Sequence, residues 1–283
     1  MAEFSAADVA ALRKTTGAGM MDCKHALTDA DGDTEAARDL LRTKGLAGAS
    51  KRAGRSAQQG AVEVVVDRDA GVGALVELTC ETDFVAKGSD FAELLGGLAQ
   101  HVVDHGADDL ADAAYEGTTV SGAISVLGAK LGENIALGRV HRFDSDDGLL
   151  DGYQHVQNER GTIGVLVELG GLDRDEPEAM AAAHDVALHV ASAAPRWLTR
   201  DEVPADVVEH ERAVLEELTR NEGKPEPASE RIVEGRLGAF FKDSVLLEQP
   251  SVRDPKQTIA ARLATIGADA TVRRFVRARV GED

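Results

Sequence analysis

The chain has 283 residues, 31 of them Lys or Arg and 50 Asp or Glu, for a net charge of −19. Direct nucleic-acid binding and docking on an anionic membrane both need a basic footprint, so this balance argues against both. Apolar residues at 43% are enough for about two domain cores, and aromatics at only 4% mean those cores are built from Ala, Val and Leu.

Residues 1–46 read as three short helices. Ser5 caps the first, with Asp8 three residues on, and Val9 and Leu12 give it an apolar side. Thr15–Gly19 breaks it. Met20, Cys23 and Leu27 recur at helical spacing on the second helix. After a turn at Asp29–Asp33, Asp33 caps a third helix carrying Ala37, Leu40 and Leu41 and ending at Gly45. The small, basic residues 47–60 read as a linker.

Residues 61–145 read as an α+β unit. Val62, Val64 and Val66 alternate along a strand, a turn follows at Gly71–Gly73, and Ala74–Thr79 runs back. Helices are expected over Phe91–Val103 and Val120–Leu131, and a closing strand over Asn134–Phe143. The order then repeats in residues 146–200 and 237–283. The pattern G-[AV]-L-V-E-L occurs at Gly73–Leu78 and again at Gly164–Leu169, and each half closes on a strand rich in arginine. Two copies of one α+β unit with antiparallel sheets are the expected core. Residues 201–236, charged and helical, interrupt the second copy. Val207, Glu211, Val214 and Leu218 step like a coiled-coil seam, so a projecting antiparallel hairpin is expected. Self-association of this hairpin, and hence a homo-oligomer, is left open.

The search for catalytic chemistry returns little. No phosphate-binding G-x-x-x-x-G-K-[ST] loop occurs. Asp29, Asp31 and Asp33 start like a calcium loop, but Thr34 and Leu40 stand where Gly and Glu are required; Asp144, Asp146 and Asp147 fail likewise. His101 and His105 have the spacing of two zinc ligands on a helix, yet the residue after His101 is Val102, and no third ligand is placed. Cys23 and Cys80 lie far apart, so no disulfide scaffold is expected and a reducing, cytoplasmic setting is simplest. No apolar run is long enough to span a membrane and no secretion signal opens the chain. No cofactor or metal is expected, and the chain reads as a binding protein rather than an enzyme.

Glu81–Lys87 stands out at a strand-to-helix junction. Phe84 is either a ring packed under the following helix, with Asp83 as its cap, or an exposed wedge for a partner's apolar pocket.

Leu12–Leu27 (LRKTTGAGMMDCKHAL) and Thr82–Lys87 (TDFVAK) closely resemble bacterial elongation factor Ts, the guanine nucleotide exchange factor of elongation factor Tu. Further matches in family order are Lys51–Gly54 (KRAG), Leu131–Val140 (LGENIALGRV), Asp151–His155 (DGYQH), Ile163–Val167 (IGVLV) and Ile232–Leu237 (IVEGRL). The resemblance implies a ubiquitin-associated-like head, two related subdomains and a coiled-coil insertion. It further implies binding to elongation factor Tu, GDP-bound and nucleotide-free, and GDP release through displacement of the partner's magnesium by Thr82, Asp83, Phe84 and Val85. Leu12, Met20 and Met21 match family positions that touch the partner's nucleotide domain, although core packing of the head is an equal reading of them. His155 matches a histidine that reaches another partner domain. Val252 lies in a loop the family uses, but its neighbour Arg253 stands where an apolar residue is usual. Some members carry a further C-terminal helical module; with the sequence ending at Asp283, no contact from one is expected. The alternative is a non-catalytic binding scaffold with an acidic core.

Overall fold

In the computed structural model, residues 4–16, 18–52, 54–223 and 225–282 are described, apart from the side chains of 45–51, 226 and 227. Gly17, Ala53 and Lys224, each part of an expected turn, linker or motif, lie outside them, as do residues 1–3 and Asp283.

The head is α1 (Ala6–Thr16), α2 (Met20–Asp29) and α3 (Thr34–Arg52). Ser5 and Asp8 close a reciprocal cap: the Ser5 amide donates to Asp8 Oδ2 at 2.7 Å and the Asp8 amide to Ser5 Oγ at 3.3 Å. Asp33 Oδ1 accepts from the Glu35 and Ala36 amides, so the Asp-rich turn is a helix cap rather than an ion loop. Val9, Leu12, Cys23, Leu27, Ala37 and Leu41 meet in the head's small core. The third helix does not end at Gly45 but runs on to Arg52, and the expected linker shrinks to the few residues before β1 (Gln59–Asp67). One glycine costs a helix about 1 kcal/mol, which packing of α3 against the core offsets.

The first subdomain continues with β2 (Val72–Cys80), α4 (Asp83–Ala86), α5 (Ser89–His105), the short strands β3 (Ala114–Tyr115) and β4 (Thr118–Thr119), α6 (Val120–Leu131) and β5 (Ala136–Asp144). The return strand of the β1–β2 hairpin starts two residues earlier than expected, since Val72 already pairs with Asp67. The second subdomain has β6 (Leu149–Gln157), β7 (Arg160–Gly170), α7 (Pro177–Ala193), the hairpin α8 (Ala205–Asn221) and α9 (Glu226–Ser244), then α10 (Ile259–Ala264) and β8 (Thr271–Arg279). Each subdomain has a three-stranded antiparallel sheet, in order β1-β2-β5 and β6-β7-β8.

The two sheets stack face to face. Val62, Leu75 and Phe143 from one share a buried layer with Leu150, Leu166 and Ala278 from the other. The approach is close enough to require Gly152, where an added Cβ would stand 2.7 Å from Val64 Cγ1. The outer faces are covered by α5 and α6 on one side and by α7 and α10 on the other.

The duplication seen in sequence is also geometric. Glu77 in β2 and Glu168 in β7 occupy the same place in the repeated pattern, and both are buried. Arg139 Nε donates to Glu77 at 2.8 Å and Arg274 Nε to Glu168 at 2.6 Å. In both halves the closing strand carries one extra residue opposite this glutamate, a bulge that twists the strand. Each arginine also reaches the other half: Arg139 Nη2 donates to the Arg279 carbonyl at 2.5 Å, and Arg274 Nη2 to the Asp144 carbonyl at 2.6 Å. Donor and acceptor are displaced by the same number of residues between the copies, so the contact repeats itself as across a two-fold axis.

The hairpin departs from expectation in its seam and its boundary. Leu215 and Thr219 face α9, while Val214 and Leu218 remain 47% exposed. Leu215 packs with Val233, Leu237 and Phe241, and α9 runs unbroken to Ser244, past the expected junction at 237. Spacings of three and four do not separate Val214/Leu218 from Leu215/Thr219; packing against α9 does.

Candidate partner-binding site

Strand β2 ends at Cys80, and the next residues form a small platform. The Cys80 thiol donates to the Thr82 carbonyl at 3.1 Å. Burial, with the negative charge of Glu133 adding to it, pushes this thiol up to about 12, so it stays protonated and keeps that bond. Thr82, rather than Asp83, caps the single turn of α4: its Oγ1 accepts from the Val85 amide at 3.4 Å. Asp83 instead meets Lys87 Nζ at 2.5 Å, and this ammonium holds the carboxyl below its ordinary value. Ala86 is buried and Val85 packs partly into the first subdomain's core.

Phe84 is left 82% exposed. It does not pack under α5, because a one-turn helix that buries Ala86 and part of Val85 turns the face opposite Ala86 outward. Exposing a phenyl ring forgoes roughly 2 kcal/mol of burial. A ring so presented, on backbone pinned from both sides, is the strongest sign of a binding site on the molecule.

Three further segments meet at the platform. The Glu133 carboxylate, just past the end of α6, accepts from the Glu81 and Thr82 amides at 3.1 Å each and from Thr82 Oγ1 at 2.5 Å. In return Glu81 Oε1 accepts from the Asn134 amide at 2.7 Å, which lowers the Glu81 carboxyl, and from Arg55 Nη1 at 3.3 Å. Arg160, opening β7, donates to the Gly60 carbonyl at 2.7 Å and to Gln59 Oε1 at 2.8 Å, and its charge favours ionised Asp83. Glu133, Asn134, Arg55 and Arg160 were not picked out as site residues. Glu133 and Asn134 lie in the LGEN segment, which carries no periodicity that could place it beside residue 82, and nothing local singles out Arg55 or Arg160.

The other expected contacts divide. Met20 and Met21 are 48% and 57% exposed at the start of α2, an adaptable apolar face. Leu12, grouped with them, is fully buried in the head's core with Cys23 and Leu27 and is not exposed in this structure. His155 is exposed on β6, with its Nδ1 3.2 Å from Tyr153 Oη. Val252 is half-exposed in a loop clamped from below, where its amide donates to His189 Nδ1 at 3.3 Å. His189 Nε2 in turn donates to Gln249 Oε1 at 2.9 Å, and burial keeps the ring neutral, below its ordinary pKa. Arg253 pairs with Asp185 at 2.8 Å, so it points back to α7. His101 and His105 stack at 4.4 Å, but among the described residues no group of three metal-ligating side chains forms around them. Among the same residues no helix is long and apolar enough to cross a membrane.

Comparison with known proteins agrees with this architecture. The family model described as elongation factor TS matches residues 81–282, which span the platform, strand β5 of the first sheet, the whole second sheet and the hairpin. The chain belongs to the elongation factor Ts family. It is 46% identical to elongation factor Ts of Micrococcus luteus, covering 99% of this chain and 100% of that relative. It is 47% identical to the same factor of Streptomyces avermitilis and of Mycobacterium avium, each covered along its whole length. Membership makes the chain a translation elongation factor of the nucleotide-exchange type, and the head, which precedes the matched segment, is shared with these full-length relatives.

Proposed function

We propose that this chain binds GDP-bound elongation factor Tu and speeds GDP release by wedging Phe84 into the partner, so that the magnesium held by the partner's nucleotide site is displaced. The observation that carries the reading is the exposed Phe84 ring on a backbone fixed by hydrogen bonds. A wedge shifts an equilibrium only by binding one state better than the other. Phe84 therefore favours the nucleotide-poor partner, with Asp83 and Val85 framing it, and GDP and this chain weaken each other reciprocally. Met20 and Met21 supply a second apolar contact, and His155 and Val252 more distant ones. No bond is made or broken, and this chain needs no nucleotide pocket of its own.

Stopped-flow release of fluorescent GDP from elongation factor Tu tests this. The wild type accelerates release, and Phe84→Ala loses about 30-fold of that acceleration, the effect of a hot-spot residue worth about 2 kcal/mol. Its melting temperature stays close to wild type because the ring is exposed. Release unaffected by the wild type overturns the exchange reading in favour of a binding scaffold; a Phe84→Ala rate equal to wild type overturns the wedge.

A further inference from the structure

We propose that Glu133 is a positioning residue for the exchange element, fixing Phe84 in its exposed pose before any partner arrives. This deepens the reading of Thr82–Val85 as the exchange element and rests on it.

A carboxylate only accepts, and Glu133 is met by three donors within two consecutive residues: the Glu81 amide, the Thr82 amide and Thr82 Oγ1. The third contact sets the direction of the first link in a chain. Because Thr82 Oγ1 spends its proton on Glu133, its lone pairs face the Val85 amide and cap α4. The ionised carboxylate thus orients the hydroxyl, the hydroxyl starts the helical turn, and the turn sets the direction of the Phe84 side chain. The same connection is locked in reverse, since Glu81 accepts from the Asn134 amide and Asn134 Nδ2 donates to the Arg55 carbonyl at 3.0 Å. The approach of Glu133 is itself built in: α6 ends at Gly132, whose φ of 76° turns the chain back toward β2. A segment whose backbone is held in this way loses little conformational freedom on binding, which is how preorganisation raises affinity and rate.

The substitution Glu133→Gln keeps size and shape but replaces one acceptor oxygen with a donor NH2, so the three donors can no longer all be met. Four proteins are compared: wild type, Glu133→Gln, Phe84→Ala and the double variant. Glu133→Gln is expected to slow stimulated GDP release about tenfold, and to add less than about twofold once Phe84 is already Ala. Thr82→Val should behave like Glu133→Gln and Thr82→Ser like wild type, since only the hydroxyl matters. A Glu133→Gln rate equal to wild type overturns the proposal, as does an equal slowing in both backgrounds, which marks general destabilisation. Amide hydrogen exchange of the free protein separates this from the fate of the exchange reading. Residues 81–86 should exchange at least about tenfold faster in Glu133→Gln while β1 and β2 keep their protection, and unchanged protection at 81–86 overturns the proposal even if GDP release is never stimulated.

Discussion

The two subdomains are built on one plan and differ in what hangs from it. Both have a three-stranded antiparallel sheet, a 17-residue helix packed on its outer face and a nine-residue closing strand bulged opposite a buried glutamate. In the first, the connection after the central strand is the Thr82–Val85 platform with its exposed ring. In the second, the corresponding connection turns at Gly171 and enters α7 through Pro177, exposing no such group, and the long α8–α9 hairpin is inserted further on. Duplicated cores keep their packing because every change inside is felt; connections, which cross the surface, are where the copies diverge and where binding residues collect.

The comparison can be broken at its most symmetric point. Among the described residues Glu77 takes its side-chain hydrogen bonds from Arg139, and loss of that side chain leaves it the Arg139 amide at 3.3 Å. Glu168 has more support: burial pushes its carboxyl up, but Ser145 Oγ at 2.6 Å and Arg274 and Arg273 outweigh this and hold it below its ordinary value. Arg139→Met is therefore expected to cost about 3 kcal/mol in urea unfolding and Arg274→Met about half of that. Equal costs would mean that the two halves are energetically as alike as they look.

A smaller effect is confined to the second half. His189 is neutral in the fold, and its ring joins the Val252 loop to α7. Its pKa is lowered from 6.5, so the unfolded chain takes up the proton first, and the stability it contributes is complete above about pH 6.5 and lost as the pH falls toward the folded value. Burial, followed by the charge of Arg139, lowers His141 too, with the same sign, so the whole profile does not flatten when His189 is removed. Thermal melts from pH 7.5 to 5.5 should show a shallower acid loss in His189→Gln than in wild type, by less than about 1.4 kcal/mol per pH unit, the ceiling for one proton. Parallel profiles would show that the Val252 clamp does not titrate.

The smallest effect separates the hairpin's two faces. Replacing exposed Val214 with Ser and Leu218 with Gln should change stability by no more than about 0.5 kcal/mol in the same urea assay. A loss beyond about 1.5 kcal/mol would restore the seam that the sequence spacing suggested.

Local features were legible in the sequence where the chain alone sets them. The Ser5–Asp8 and Asp33 caps, the Val120–Leu131 helix, the alternating strands and the G-[AV]-L-V-E-L repeat all follow from spacing and side-chain chemistry within a few residues. The TGAGMMDCK and TDFVAK segments carried the family. What only the tertiary structure decided was which of two equivalent apolar positions faces inward, and which distant segments meet. Leu12 went inside and Met20 and Met21 stayed out because three short helices can bury only one stripe each. Val214 and Leu218 stayed out because Leu215 and Thr219 took the places facing α9. Glu133 came to rest beside Thr82 because a glycine-terminated helix folds back onto β2, a contact between residues 51 apart that no local pattern encodes. The sequence determined the parts and their order; the packing of two sheets and their covering helices determined which residues were left to meet a partner.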